Sequence, residues 1–99
     1  MTEHNDEMIL NLFKALVKIE NEEECEKFLR DLCTQKELEQ MAQRVKAAEL
    51  LLEGKTYAQV IKETDISSAT LSRVSRCIQY GDGGYRLVLG KLISLPKKM

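Results

Sequence analysis

Two groups of apolar residues at helical spacing lie so close together between Thr56 and Ile78, in TYAQVIKETDISSATLSRVSRCI, that the chain linking them has to reverse at once. Val60, Ile61 and Ile66 form the first group and Leu71, Val74 and Ile78 the second, which fits two short helices folded across one shared core. Reversal within about three or four residues calls for a left-handed backbone position, usually a glycine. Asp65 stands there instead; its short side chain tolerates that region and bonds its own backbone. Ile66 then plugs the space between the helices. Ser67 is a good N-cap, able to accept the amide proton of Ala69 or Thr70, so the second helix starts there. This is a helix-turn-helix over about residues 56–79.

The outward face of the second helix has a composition suited to DNA. Its first turn carries only small groups, Ser68, Ala69 and Thr70, which can enter a major groove without a clash and offer hydroxyls and methyls to base edges. Arg73 and Arg76, three residues apart, lie where phosphates would pass. A merely solvated helix needs none of this. Turn, cap, small residues and paired arginines occurring in this order favour DNA binding.

The 99 residues suffice for one domain, residues 1–99, and 31% charged against 43% apolar residues with one Pro reads as an all-α globular chain. No apolar run approaches the roughly 20 residues that cross a bilayer, and the start MTEHNDE is the reverse of a basic signal peptide, so the expected location is cytoplasmic. Cys25, Cys33 and Cys77 form no close pair and no metal-ligand spacing; they read as core thiols. His4 lies in an expected frayed tail. No metal, cofactor or catalytic constellation is expected. The net charge of −1 hides an asymmetry: residues 1–33 carry four basic and nine acidic side chains, residues 66–99 six basic and one acidic. The basic end begins at the proposed recognition helix, and such a footprint predicts DNA binding that weakens with salt.

Ahead of this unit, a first helix is expected over about Asp6 to Ile19, with Met8, Ile9, Leu12, Phe13, Leu16 and Val17 at helical spacing and Leu10 widening the stripe. Asn21 caps a second helix, with Glu24 completing a capping box and Cys25, Phe28, Leu29 and Leu32 facing inward. Thr34 and Glu37 repeat the device at the start of the longest helix, which runs to about Glu53 before Gly54. Its expected buried stripe is Leu38, Met41, Ala42, Val45, Ala48, Leu51 and Leu52, with Arg44 and Lys46 outside or at a cleft edge. The loop Gly81-Asp82-Gly83-Gly84 ends the second helix of the pair, and a last helix is expected over about Tyr85 to Leu95. Six helices with apolar first and last members suggest surfaces completed by a second copy, and a two-fold homodimer sets two recognition helices about one DNA turn apart.

The long helix TQKELEQMAQRVKAAELLLEGK running directly into TYAQVIKETDISSATLSRV is similar to the Trp repressor superfamily, and within it to the YerC/YecD family; the likeness covers residues 34–78. It implies a six-helix, intertwined homodimer that represses transcription at a palindromic operator. It also implies that Lys62, Ser72, Arg73 and Arg76 hold phosphates while Ser68, Ala69 and Thr70 meet base edges, with Ser67 also among the DNA-binding residues and water bridging such short side chains. The family's tryptophan pocket maps onto Thr34, onto Arg44 in Gln43-Arg44-Val45, and onto Arg73 in Ser72-Arg73-Val74. Val74 departs from the family's glycine, which lets ligand and backbone approach closely. A branched side chain there fills indole space, so an effector other than L-tryptophan, or none, is expected. The competing reading is a protein-interaction module of the transcription machinery without direct operator binding. The two separate by salt dependence, steep for phosphate contacts and shallow for an apolar interface.

Overall fold

The computed structural model describes residues 3–92, and six helices account for most of them: α1 (Glu3–Leu16), α2 (Glu22–Leu32), α3 (Gln35–Leu52), α4 (Tyr57–Thr64), α5 (Ser68–Tyr80) and α6 (Gly84–Leu89). No strand occurs among the described residues. The chain divides between Leu38 and Glu39 into two compact units, the division falling inside α3.

In the first unit α1 begins and ends about a turn earlier than its apolar pattern suggests, and His4 belongs to its first turn instead of a frayed tail. The early stop has a visible cause. After Val17 N–H bonds the Phe13 carbonyl, Lys18 and Ile19 bond back only three residues, to Ala15 and Leu16, tightening the last turn. Asn21 is extended and caps α2, its side chain accepting the Glu24 amide at 2.9 Å. The reciprocal carboxylate lands one residue earlier than a capping box requires: Glu24 Oε1 accepts from the Glu20 amide at 3.1 Å. Thr34 and Glu37 do form the reciprocal pair, at 3.0 and 2.8 Å. Neither α1 nor α2 contains a fully buried residue. The expected α1 stripe from Met8 to Phe13 is exposed, and Leu32, expected inward, is exposed too.

The second unit holds the core: Ala47, Ala48 and Leu50 of α3, Val60 of α4, Ile66 in the turn, Leu71 and Val74 of α5, and Leu89 of α6. The buried face of α3 therefore differs from the expected one. Ala42 and Val45 are exposed and Leu38 and Met41 half-buried, because the helix is apolar on several sides and turns Ala47 and Leu50 toward the helix pair. Gln43, one turn before Ala47, lies on the same side and donates from Nε2 to the Thr64 carbonyl at 2.9 Å. Helix α3 closes with two bonds of the kind that seals a helix around a left-handed residue: Gly54 N–H to the Leu51 carbonyl and Lys55 N–H to the Leu50 carbonyl, both 3.0 Å, with Gly54 at φ +94.

Helix α5 ends at Tyr80, where the backbone of Gly81 turns extended at ψ −156, so close over the last turn that a Cβ there would stand 2.5 Å from the Cys77 carbonyl oxygen. Gly84 opens α6 instead of belonging to the loop, and α6 stops at Leu89, far short of Leu95; the low helix propensity of Gly90 gives a local reason. Residues 93–95 of the expected helix lie outside the described residues. The thiols also depart from expectation: Cys77 is exposed and Cys25 and Cys33 are half-buried. Val88 and Leu92 are exposed, while Tyr85 is half-buried against the core.

Asp65 is the sole non-glycine residue with positive φ among those described, at 61°. A β-branched side chain is strained there, so Asp65→Val is expected to destabilise the protein by about 1–2 kcal/mol in urea unfolding, whereas Asp65→Gly, which removes the strain but loosens the unfolded chain, should stay within about 1 kcal/mol of the parent.

Candidate nucleic-acid interface

The candidate interface is built from local chemistry that fixes where α5 begins. Thr56 and Gln59 form a full capping box at the start of α4, the Thr56 hydroxyl accepting the Gln59 amide at 3.2 Å and Gln59 Oε1 accepting the Thr56 amide at 2.8 Å. At the other end Asp65 takes the left-handed conformation and its amide bonds the Ile61 carbonyl at 2.8 Å. Thr64 ties the reversal together: its hydroxyl donates to the Val60 carbonyl at 2.8 Å and accepts the Ile66 amide at 3.2 Å, while its carbonyl takes the Gln43 bond. Ile66 is fully enclosed and Ser67 caps α5 by accepting the Thr70 amide at 3.1 Å. Of the two amides within the Ser67 reach, Thr70 is the one used.

What α5 then offers outward can be stated residue by residue. Ser68, Ala69, Ser72, Arg73 and Arg76 are exposed. Thr70 is half-buried and its hydroxyl accepts from Ser67 Oγ at 2.9 Å, so it lies at the edge of this face and not at its centre. Ser67 is exposed, with its oxygen engaged in the cap. Lys62, at the end of α4, is exposed. The ion pairs among the described residues join Lys27 to Glu23, Arg30 to Glu26 and Lys46 to Glu49, and none lies on α4 or α5. Arg73 and Arg76 thus point two uncompensated guanidinium groups at solvent, beside a turn of small side chains.

The residues mapped onto an effector pocket fare differently. Val74 is 1% exposed and packs in the core with Leu71 and Ile66. Arg44 is half-buried and Arg73 exposed. Thr34 belongs to the first unit, and its hydroxyl already accepts the Glu37 amide at 3.0 Å. A cavity of about 460 Å³ in the second unit is lined instead by Val45, Cys77, Gly81, Asp82, Tyr85 and Leu89, among others. The two residues that anchor the reversal, Gln43 and Thr64, were not singled out from the sequence. A polar residue inside an apolar helix stripe, 21 positions from its partner, leaves no local signal.

A capped, tightly reversed helix pair with a small-residue, arginine-bearing outer face defines a helix-turn-helix protein. Residues 7–93 match the family described as Trp repressor protein, and the chain belongs to that family. It is 42% identical to YerC, an uncharacterized protein of Bacillus subtilis, over 81 residues that make up 82% of this chain and 78% of that one. Its fold is similar to the crystal structure of a candidate Trp repressor from Staphylococcus aureus (TM-score 0.85, 33% identity, covering 99% of this chain and 100% of the other). A TrpR-like protein from Eubacterium eligens is similar too, with a TM-score of 0.84 and 35% identity over 92% of this chain and 94% of the other. The likeness visible in residues 34–78 therefore extends over most of the chain.

Because the Gln43 side chain ties α3 to the reversal, Gln43→Ala is expected to cost about 1 kcal/mol in unfolding free energy and to speed amide hydrogen exchange at Asp65 and Ile66, while Gln40→Ala, at an exposed position of the same helix, changes neither.

Proposed function

We propose that the protein is a sequence-specific DNA-binding transcriptional regulator, a repressor, that works in the cytoplasm as a homodimer with the start of α5 in the major groove. The observation that carries this reading is the outer face of α5: Ser68, Ala69 and Ser72 exposed, and Arg73 and Arg76 without carboxylate partners among the described residues, on a helix whose starting point is set by three interlocked side chains. Lys62, Ser67, Ser72, Arg73 and Arg76 hold phosphates in this reading, and Ser68, Ala69 and Thr70 approach base edges. Membership in the Trp repressor family agrees with it. No helix among the described residues is long and apolar enough to cross a membrane.

The dimer is supported by what the single chain leaves uncovered. Met8, Ile9, Leu10 and Phe13 of α1, and Val17 after it, are exposed, Val17 by 78%, and an apolar surface of that extent is normally covered by a partner. A second copy supplies matching surface and sets a second α5 at the spacing a palindromic site requires. A small-molecule effector, if it acts between Arg44 and Arg73, is not L-tryptophan in this reading, since Val74 occupies core volume and an indole ring would have to spread the helices.

Selection of genomic fragments on the purified protein is expected to enrich a palindromic site, and the double variant Arg73→Ala/Arg76→Ala to lose that enrichment at unchanged helical content. The log–log dependence of affinity on salt should become shallower by about 1.8 in the variant, the loss of two phosphate contacts. Unchanged affinity would remove α5 from the interface, and a flat salt dependence of the parent would favour a protein partner. Calorimetric titration with L-tryptophan is expected to give no saturable heat with the parent; micromolar binding would overturn the argument from Val74.

A further inference from the structure

A cavity of about 310 Å³ opens between the end of α3, the start of α4, the C-terminal half of α5 and α6, entirely within the second unit. Its composition separates into two halves. Leu51, Leu52 and Ile78, all half-buried, give it an aliphatic wall. Tyr57, Ser75, Gln79 and Arg86 bring a phenol, a hydroxyl, an amide and a guanidinium to the same space. No acidic residue lines it, and none of these four side chains has a hydrogen-bond or ion-pair partner among the described residues. Ser75 is half-buried, and Gln79 lies one turn further along the same helix, so both face one side of the cavity. Neither Arg44, Arg73 nor Val74 contributes to it.

We propose that this cavity binds a small organic carboxylate with an apolar body. A planar guanidinium without a carboxylate of its own matches a carboxylate through two parallel N–H···O bonds, and the neighbouring hydroxyl and amide can donate to the same oxygens. The aliphatic wall takes the hydrocarbon part, which a bare inorganic anion lacks. Four of the seven lining side chains are polar and converge on the space a carboxylate head would fill, and the three aliphatic ones give room for only a small apolar body. The four side chains come from three helices, α4, α5 and α6, so a bound acid would bridge α6 to the helix-turn-helix.

The test uses the full chain and benzoate as probe, followed by backbone amide NMR shifts. Benzoate is expected to shift amides at Tyr57, Ser75, Ile78, Gln79 and Arg86 saturably, with benzamide, its uncharged twin, binding about tenfold more weakly. Arg86→Met should weaken benzoate by a similar factor, and Arg76→Met, a cation on α5 outside the cavity, should not. The proposal is overturned if benzoate produces no saturable shift at these amides, if benzamide or Arg86→Met matches the parent with benzoate, or if inorganic phosphate binds as tightly as benzoate, since that would make the cavity a plain anion hole. Should Arg86→Met alter the fold, the comparison of benzoate with benzamide and phosphate on the parent protein still decides.

Discussion

The geometry of the helix pair depends on one residue's backbone more than on any contact. With Asp65 at φ 61 and ψ 17 the chain leaves α4 and enters α5 across a single linking stretch, Asp65 to Ser67: the Asp65 amide bonds back to the Ile61 carbonyl, the Ile66 amide to the Thr64 hydroxyl, and the Ser67 carbonyl accepts the Leu71 amide. Thr64 is the hub. Its hydroxyl joins the last turn of α4 to the first amide after the left-handed residue, and its carbonyl is where α3 takes hold. Burial of Ile66 follows from this reversal: once the chain turns here, the side chain has nowhere to go but between Val60, Leu71 and Val74. Hydrophobic burial then stabilises a geometry that the turn has already selected.

How much of this was legible in the sequence tracks how local the determining interaction is. Asp65 in the left-handed region, Ser67 as cap, Ile66 as plug and the Thr34–Glu37 box all depend on residues within about four positions of one another, and all were readable. The Thr56-Tyr57-Ala58-Gln59 spacing at the start of α4 carries the same local signature. The buried face of α3 was not legible for a different reason. Met41, Ala42, Val45, Ala47, Ala48, Leu50, Leu51 and Leu52 surround the helix with apolar side chains, and periodicity cannot rank faces when nearly all qualify. The choice among them is made at long range, by packing against the helix pair, with the Gln43 bond to Thr64 on the same side.

The candidate interface divides along the same line. Exposure of Ser68, Ala69, Ser72, Arg73 and Arg76 follows from helical phase once Ser67 is placed as the cap, so the outer face of α5 could be written down before any coordinates. The position of Thr70 at the edge of that face could not, because it follows from the extra hydroxyl contact with Ser67. Val74 was readable both as core and as an obstacle to an aromatic ligand, and its complete enclosure makes these one statement: the volume is already full. The cavity beside Arg86 had no counterpart in the sequence at all, since its lining comes from four helices that only the packing of α6 brings together.

Helix α2 has a well-formed cap and two exposed ion pairs, yet neither it nor α1 holds a buried side chain. Local hydrogen bonds and exposed pairs contribute little net stability, so a unit with no buried side chain is expected to open more readily than the core around Leu71. Under the dimeric reading this makes the order of the first third of the chain a property of the solution and not of the molecule: by mass action, its melting temperature rises with protein concentration, and a cell holding few copies holds them partly unlocked.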